Sequence, residues 1–423
     1  MKIDIPEFSM VMLIGPAGCG KSSFARRHFQ PSQILCADTL RAWVCDDENN
    51  QDASKDAFEL LHMILRKRMR NQCSTVIDAT NVLADSRDEL LKIAQKHLCP
   101  VVALVFDLPE DLLLERNQTR TERTLPESVI HTHVSQLRET IESIGSESFR
   151  AVHHLTSVGE LDRIQFNITP LDLDKRDDHG PFDIIGDVHG CYDELLILLE
   201  KLGYQMTQGA EGPEIRHPQN RRVMFLGDLV DRGPKIPEVL RLVMNAVKSG
   251  AALCVMGNHD LKLLLKLEGK KVKMRFGLGE TMEQLESESE QFKAEIRAFI
   301  KGLETQYLLD DGKLVVAHAG LKESLHGKVS AKAHSFALYG DTTGETDAYG
   351  LPVRQNWARD YQGQAMVIYG HTPVKDALWE NNTLCIDTGC VFGGKLTALQ
   401  YPEKKLVEVE ALEEYYAPVK PLS

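Results

Sequence analysis

The chain has 423 residues, enough for two or three domains, and its 43% hydrophobic and 26% charged residues describe a well-packed globular protein. A net charge of −13 argues against a broad basic surface for duplex DNA, while leaving room for a local groove that takes a nucleic-acid end. No apolar run approaches the roughly 20 residues that span a bilayer, the N-terminus lacks a basic segment followed by an apolar one, and nine scattered cysteines without a Cys-x-x-Cys pair read as reduced thiols. The expectation is a cytoplasmic protein with no membrane partner.

Ser9 to Ile14 is an apolar strand that runs into Gly15-Pro16-Ala17-Gly18-Cys19-Gly20-Lys21-Ser22 and then an amphipathic helix with Phe24, Ala25 and Phe29. Strand, glycine-rich loop and helix together are the context of a P-loop. Backbone N–H groups around Gly15, Gly18, Gly20, Ser22 and Ser23 would cradle phosphates at the helix start. Lys21 would neutralise the β- and γ-phosphates and the Ser22 hydroxyl would reach Mg²⁺, so ATP with Mg²⁺ is the expected ligand.

The next strand, Gln33 to Ala37, ends in Asp38, a carboxylate placed to take a proton from an acceptor hydroxyl facing the γ-phosphate. A buried run, Ser74 to Ile77, ends in Asp78, which either acts through water on Mg²⁺ or caps the following helix. Val101 to Phe106 is a further strand. A helix from Pro109 then carries Arg116, Arg120 and Arg123, whose spacings of four and three bring them close on one face or at a helix end. An isolated charge run is usually a solvated surface. This one sits where P-loop kinases have their lid, where arginines stabilise the charge spreading over a transferring phosphate.

Residues 8–170 resemble the kinase module of the bacterial polynucleotide kinase-phosphatases. The likeness is carried by the P-loop, Asp38 with Arg41 one helical turn later, the run Asp46-Asp47-Glu48-Asn49, and Arg116 to Arg123. It implies Asp38 as general base for a 5′-hydroxyl and Arg41 as a contact to the acceptor end. Trp43 has two readings, a ring that stacks on a base or a core residue. Polar Leu171 to Pro181 reads as an interdomain linker. The expected division is a kinase domain over 1–172, a linker over 173–181, a second domain over 182–410 and a tail over 411–423.

From Phe182 onward, apolar runs end in polar loops. Phe182 to Ile185 precedes Gly186-Asp187-Val188-His189-Gly190. Val223 to Leu226 precedes Gly227-Asp228-Leu229-Val230-Asp231-Arg232-Gly233. Leu253 to Met256 precedes Gly257-Asn258-His259-Asp260. Three buried strands would bring Asp187, His189, Asp228 and Asn258 to one sheet edge. Hard oxygen and imidazole donors without thiolate suit Mn²⁺, Fe or Zn²⁺. Leu261 to Leu303 reads as a helical insertion beside this site. Lys313 to Ala317 leads into His318-Ala319-Gly320, and Met366 to Tyr369 into Gly370-His371-Thr372-Pro373. Leu396 to Tyr401 and Lys405 to Val409 read as a closing hairpin.

These motifs, in this order over most of 181–395, resemble the calcineurin-like metallophosphoesterases. The expected fold class is therefore α/β, a P-loop parallel-sheet domain followed by a calcineurin-like sandwich. The resemblance implies two divalent metals, Mn²⁺ foremost, that clamp attacking and leaving oxygens and lower the pKa of a shared water. Asp187 and His189 would complete the first, Asn258, His318 and His371 the second, and Asp228 would bridge them. His259 matches the general acid or phosphate-contacting histidine, oriented by Asp231. Arg232 would hold phosphate oxygens through a charge-assisted fork, and Asp387 is an extra candidate near the site.

Three functions compete. The first is a bifunctional end-healing enzyme that phosphorylates 5′-hydroxyl ends and removes 2′- or 3′-phosphates, including 2′,3′-cyclic ones. Its partners would be RNA or DNA ends and a separate ligase, with a homodimer open. The second is a metabolite kinase joined to a diadenosine-tetraphosphatase-like or phosphoprotein phosphatase. The third is an ATP-sensing scaffold attached to a phosphatase.

Overall fold

The computed structural model describes residues 1–119, 124–209 and 212–420. The chain divides into two compact units, one of Met1–Leu171 with Val329–Ala331, the other of Asp172–Lys328 with Lys332–Ser423. Among the described residues no helix is long and apolar enough to cross a membrane.

The first unit runs β1 (Lys2–Pro6), β2 (Met10–Ile14), α1 (Lys21–His28), β3 (Ile34–Cys36), α2 (Ala37–Cys45), α3 (Ser54–Arg70), β4 (Thr75–Asp78), α4 (Ala84–Lys96), β5 (Val101–Phe106), α5 (Glu110–Gln118), α6 (Glu127–Ser143), β6 (Ala151–Leu155), α7 (Val158–Arg163) and β7 (Gln165–Thr169). Five strands form a parallel sheet in the order β3-β4-β2-β5-β6, and β1 pairs with β7 apart from it. Both sheet faces are apolar, as a parallel sheet covered by helices requires. Met10, Met12 and Ile14 of β2 face one core cluster, and Val11 and Leu13 face the other. The continuous apolar runs at β2, β4 and β5 made these strands visible in the sequence. One boundary moves: the third strand stops at Cys36, so Asp38 lies in the first turn of α2 rather than at a strand end.

A buried arginine props the loop after β4. Arg87 is fully buried; it donates to Asn81 O at 2.9 Å and Thr140 Oγ1 at 3.1 Å, and pairs with Glu147. Asn81 in turn donates to Leu13 O at 2.7 Å, and Gly15 N–H reaches Thr80 O at 2.9 Å, so this loop braces the P-loop. Arg87→Ala would leave Glu147 and two acceptors without their donor. It is expected to cost about 3 kcal/mol of stability, measured by denaturant unfolding; a loss below ~1 kcal/mol, the range of exposed pairs, would show that the pair is not structural.

The second unit runs β8 (Asp174–Lys175), β9 (Phe182–Ile185), α8 (Tyr192–Leu202), β10 (Gln205–Gly209), β11 (Gly212–Arg216), β12 (Arg222–Phe225), α9 (Ile236–Lys248), β13 (Ala252–Cys254), α10 (Asn258–Leu267), α11 (Leu278–Glu286), α12 (Glu290–Lys301), β14 (Gln306–Leu309), β15 (Leu314–Ala317), α13 (Ala331–Tyr339), β16 (Thr342–Thr346), β17 (Pro352–Arg354), β18 (Met366–Tyr369), β19 (Trp379–Glu380), β20 (Thr383–Cys385), β21 (Lys395–Tyr401) and β22 (Lys405–Glu410). A five-stranded sheet, β13-β12-β9-β21-β22, packs on a six-stranded one, β19-β20-β18-β15-β14-β8. Strand period sets the layers. Phe182 and Ile184 of β9, Met224 of β12, and Leu314 and Val316 of β15 fill the space between the sheets. Ile185, Val223 and Phe225 turn outward to the helices, and Val315 and Ala317 turn to α13 on the far side. The segment that reads as a linker contains β8, which pairs in parallel with β14, and the preceding Leu173 is buried. Two β-hairpins, β10–β11 and β16–β17, join the elements legible in the sequence.

Candidate functional site

The first unit gathers its candidate residues around the P-loop. Gly18 and Gly20 have φ of +88° and +98°, a left-handed backbone that glycine adopts without strain, and α1 begins at Lys21. One cavity is lined by Gly18, Gly20, Lys21, Ser22, Ser23, Asp38, Arg41 and Asp78. Lys21 is buried, and its Nζ donates to Gly15 O and Pro16 O, each at 2.8 Å. Its charge therefore rests on the loop that a triphosphate would occupy. Asp38 pairs with Arg41, whose Nε also donates to Glu48 O at 2.8 Å, so the acidic run at 46–49 buttresses this arginine through its backbone. Asp78 is buried at the end of β4, and together with burial it holds the Cys36 thiol above its ordinary range.

Arg116 on α5 reaches across to the loop and donates to Cys19 O at 3.3 Å. Arg120 and Arg123 lie outside the described residues. His133 on α6 has no motif around it and was not among the sequence candidates. It lines the same cavity and accepts the Ala17 N–H at Nδ1, 3.4 Å away; burial and the nearby Lys21 lower its pKa, which keeps that nitrogen an acceptor. Trp43, with two readings from sequence, is not a core residue: it is 68% exposed on α2.

In the second unit the loops after β9, β12, β13, β15 and β18 meet. Two sets of three ligand atoms each lie within 4.8 Å of one another: His189, Asp228 and His259, and Asp228, His318 and His371. Asp228 belongs to both. His259, expected as an acid rather than a ligand, is thus a member of the first set. Asp187 adjoins the second, where its Oδ2 accepts the His371 N–H at 3.0 Å, and Asn258 Oδ1 lies 3.0 Å from His318 Nε2. Backbone carbonyls fix both imidazole faces. His189 Nδ1 donates to Val230 O at 2.6 Å and His318 Nδ1 to Leu226 O at 2.9 Å, which turns each Nε2 toward Asp228, at 3.7 and 3.3 Å.

Close backbone packing makes this convergence possible. A Cβ on Gly257 would lie 2.1 Å from Asp228 N, and one on Gly370 would lie 2.0 Å from Asp187 Oδ1. His189, Asp228, Asp231, Arg232 and His371 themselves have positive φ, between 44° and 74°. Non-glycine residues hold that conformation only where surrounding structure imposes it.

The electrostatics follow from burying like charges together. Burial, then Asp387 and Asp228, push Asp187 well above the usual carboxylate range. Burial also raises Asp387 to about 6; a Cβ on Gly370 would meet both Asp187 Oδ1 and Asp387 Cβ, so this candidate lies beside Asp187. Burial would lower His318, but Asp228 and Asp187 outweigh it and lift its pKa to about 9. His189 is pushed down to about 3 by burial and then by Arg232. Asp228 runs the other way: burial would raise it, but His318 and His259 hold it well below the usual range, so the imbalance lies at Asp187 and Asp387, whose ionised forms burial disfavours.

A cation fits that imbalance on independent grounds. Asp187 Oδ1 and His371 Nε2 are buried without any hydrogen-bond partner, a costly state for polar atoms that a bound cation would relieve. The donors are carboxylate, amide and imidazole, a set for a divalent ion.

Further contacts hold these side chains in place. His259 Nδ1 bonds Asp231 Oδ2, and Thr281 of α11 both donates to Asp231 and accepts the Asp231 N–H at 3.0 Å. Arg232 bridges the two imidazoles, 2.7 Å from His189 Nε2 and 3.0 Å from His259 Nε2. Thr281 and Lys262, both within the stretch read as a helical insertion, were not singled out in the sequence. Lys262 lines the cavity over Asp228, Asn258 and His259, as do Phe276, Tyr339 and Arg354.

Comparison with known proteins follows the same division. Residues 10–143 match the AAA domain model, and residues 180–406 match the calcineurin-like phosphoesterase model. The chain is 47% identical over 240 residues to a bis(5′-nucleosyl)-tetraphosphatase PrpE (asymmetrical) of Anoxybacillus flavithermus, covering 56% of this chain and 96% of that protein. It is also 47% identical over 232 residues to the PrpE of Bacillus subtilis, covering 54% of this chain and 93% of the relative. Both alignments span roughly the length of one unit. P-loop kinases work with ATP and Mg²⁺, and calcineurin-like phosphoesterases with divalent metals. With the second model matching more than half of its length, and the metal-type cluster standing inside that match, the chain belongs to the calcineurin-like phosphoesterase family, here with a kinase-like P-loop domain on the same chain.

Proposed function

We propose that the second unit hydrolyses dinucleoside polyphosphates and that the first transfers the γ-phosphate of ATP to a small hydroxyl acceptor. The observation that carries the proposal is the cavity over Asp228. It sets the cations Arg232, Lys262 and Arg354 beside the rings of Phe276, Tyr339 and Phe392. Cationic side chains suit a polyphosphate and flat rings suit a base. The PrpE relatives, aligned over nearly their whole length, support the same substrate class.

In this reading Asp187, His189, Asp228, Asn258, His318 and His371 would hold two divalent ions, with Mn²⁺ the first to try. Such ions supply Lewis-acid stabilisation of the charge that develops on phosphate. The other residues act directly. Arg232, held between His189 and His259, turns to the oxygens of an arriving phosphate as a two-pronged donor. That frees His259 Nε2 to carry a proton to the departing oxygen, while Asp231 stabilises the imidazolium. In the first unit, Lys21 and Arg116 draw charge from the triphosphate, and Asp38, released from Arg41 by the acceptor, takes the hydroxyl proton.

A polynucleotide acceptor is the second reading, favoured by one observation: Trp43 stands exposed on the helix that carries Asp38 and Arg41, where a terminal base could stack. One incubation separates the two. The protein is given labelled ATP, Mn²⁺ or Mg²⁺, a bis(5′-nucleosyl) tetraphosphate, and a short RNA with a 5′-hydroxyl and a 3′-phosphate. The expected outcome is cleavage of the tetraphosphate with no label on the strand. Label on the 5′ end and phosphate lost from the 3′ end, with the tetraphosphate intact, would replace this proposal by end healing.

A further inference from the structure

We infer that the C-terminal segment Tyr415–Lys420 is a substrate-specificity element of the phosphoesterase: Tyr416 is a platform for one nucleoside and Lys420 a contact to the polyphosphate chain. The inference rests on the dinucleoside polyphosphate reading above and assigns part of that substrate to residues outside every motif.

The segment is anchored at its start, through Tyr415 and Tyr416. Glu194 is fully buried, and its Oε1 accepts both the Leu412 N–H and the Tyr415 hydroxyl at 2.9 Å. The N–H groups of Tyr415 and Tyr416 both reach Val391 O, at 3.1 and 3.0 Å. The chain is thereby laid along the loop that follows Asp387. A side chain in a segment held this way is pre-organised, so binding to it costs little ordering entropy.

The anchoring aims Tyr416 at the catalytic arginine. Its ring packs against Phe392 at 6.5 Å between centroids and 63° between planes, and the Arg232 guanidinium lies 5.1 Å over the Phe392 ring. Tyr416 also lines the cavity that contains Asp228, Asn258 and His259. An unbroken series of faces thus runs from the arginine that meets phosphate to an aromatic ring at the wall. The distance from a phosphoryl group to a base is bridged by adjacent side chains.

The shape of the site fits a substrate with two bulky ends. A second cavity, lined by Asp341, Gln355, Asn356 and Trp357, adjoins the first, and the two share Pro352, Arg354, His371, Thr372 and Lys420. The first lobe is rich in aromatic rings and the second in polar groups. Arg354 and Lys420 are the cations at their junction. A monoester needs one lobe beside the metal-type cluster. Two nucleosides joined by an anionic chain need two lobes that meet at positive charge. On a chain with a net charge of −13, such local cations are what draws a polyanion in.

The test compares a bis(5′-nucleosyl) tetraphosphate with p-nitrophenyl phosphate as substrates of the full-length Mn²⁺-loaded protein and of three variants. For Tyr416→Ala, the ratio of kcat/KM for the tetraphosphate to that for the simple ester should fall ~10-fold, the worth of one base stack, and the fall should lie in KM. Lys420→Gln should lower the same ratio and weaken its dependence on salt. Tyr416→Phe keeps the ring and should restore the ratio, which separates stacking from a structural role of this position. Equal losses on both substrates, or no change in the ratio, would overturn the inference while the parent reading stands. Failure of the unaltered protein to cleave the tetraphosphate would overturn both.

Discussion

Asp228→Ala is expected to abolish phosphoester hydrolysis and leave ATP-dependent phosphoryl transfer intact. Asp228 is the one carboxylate common to both ligand sets, and His318, His189 and His259 all direct a ring nitrogen toward it, at 3.3, 3.7 and 4.0 Å. Its other oxygen accepts the His259 N–H at 2.8 Å. Removing it takes a ligand from each proposed metal and loosens the positioning of His259. Losing several kcal/mol of transition-state stabilisation corresponds to a fall on the order of 10³-fold in kcat/KM. Asp228→Asn keeps the hydrogen-bond acceptor and the shape, so it distinguishes lost charge from lost folding. Steady-state hydrolysis, thermal unfolding and phosphoryl transfer measured on both variants decide the matter. Retention of more than a tenth of the hydrolytic rate by either variant would remove Asp228 from the centre of the mechanism.

Lys21→Ala should produce the converse loss. Lys21 Nζ lies on the two carbonyls at the entrance of the P-loop, Gly15 O and Pro16 O, and among the described residues no other lysine lines that cavity. Arg116, the one of the three arginines expected at a lid that lies among the described residues, reaches the same loop at Cys19 O. A single preorganised donor to transition-state charge is worth about 10²- to 10³-fold in rate, so transfer from ATP should fall by that amount while ester hydrolysis is unchanged. Transfer that survives both Lys21→Ala and Asp38→Ala would mean that the domain binds nucleotide without using it, which would restore the sensing scaffold weighed from the sequence.

Much of this layout was legible in the chain because buried parallel strands are written as uninterrupted apolar runs. Val101–Phe106, Phe182–Ile185 and Met366–Tyr369 stand where the runs place them. The ligand-type residues follow such runs directly, so topology alone carries them to one edge. What was missed depends on contacts distant in sequence. Thr281 meets Asp231 across fifty residues, and His133 meets Ala17 across 116; neither has local signal. The β16–β17 hairpin, which brings Arg354 to the cavity, is exposed along all of β16 and has no alternation to read. The tail from Leu412 looks featureless in sequence because its anchor is one buried glutamate on α8. Asp38 is legible as a residue, but its helix begins at Ala37, the last residue of the apolar run.

The left-handed backbone at His189, Asp228, Asp231, Arg232 and His371 bears on how the protein can change. Each such residue costs about 1 kcal/mol relative to an ordinary conformation, and the close glycine contacts beneath them leave no room to relax. Stabilising substitutions elsewhere therefore widen the range of sequences that can keep this site, whereas mutations that weaken the scaffold reach the threshold of unfolding sooner than in a protein without such a load. Laboratory evolution toward new phosphate esters should begin from a thermally strengthened parent and alter the cavity walls, leaving the ligand loops untouched.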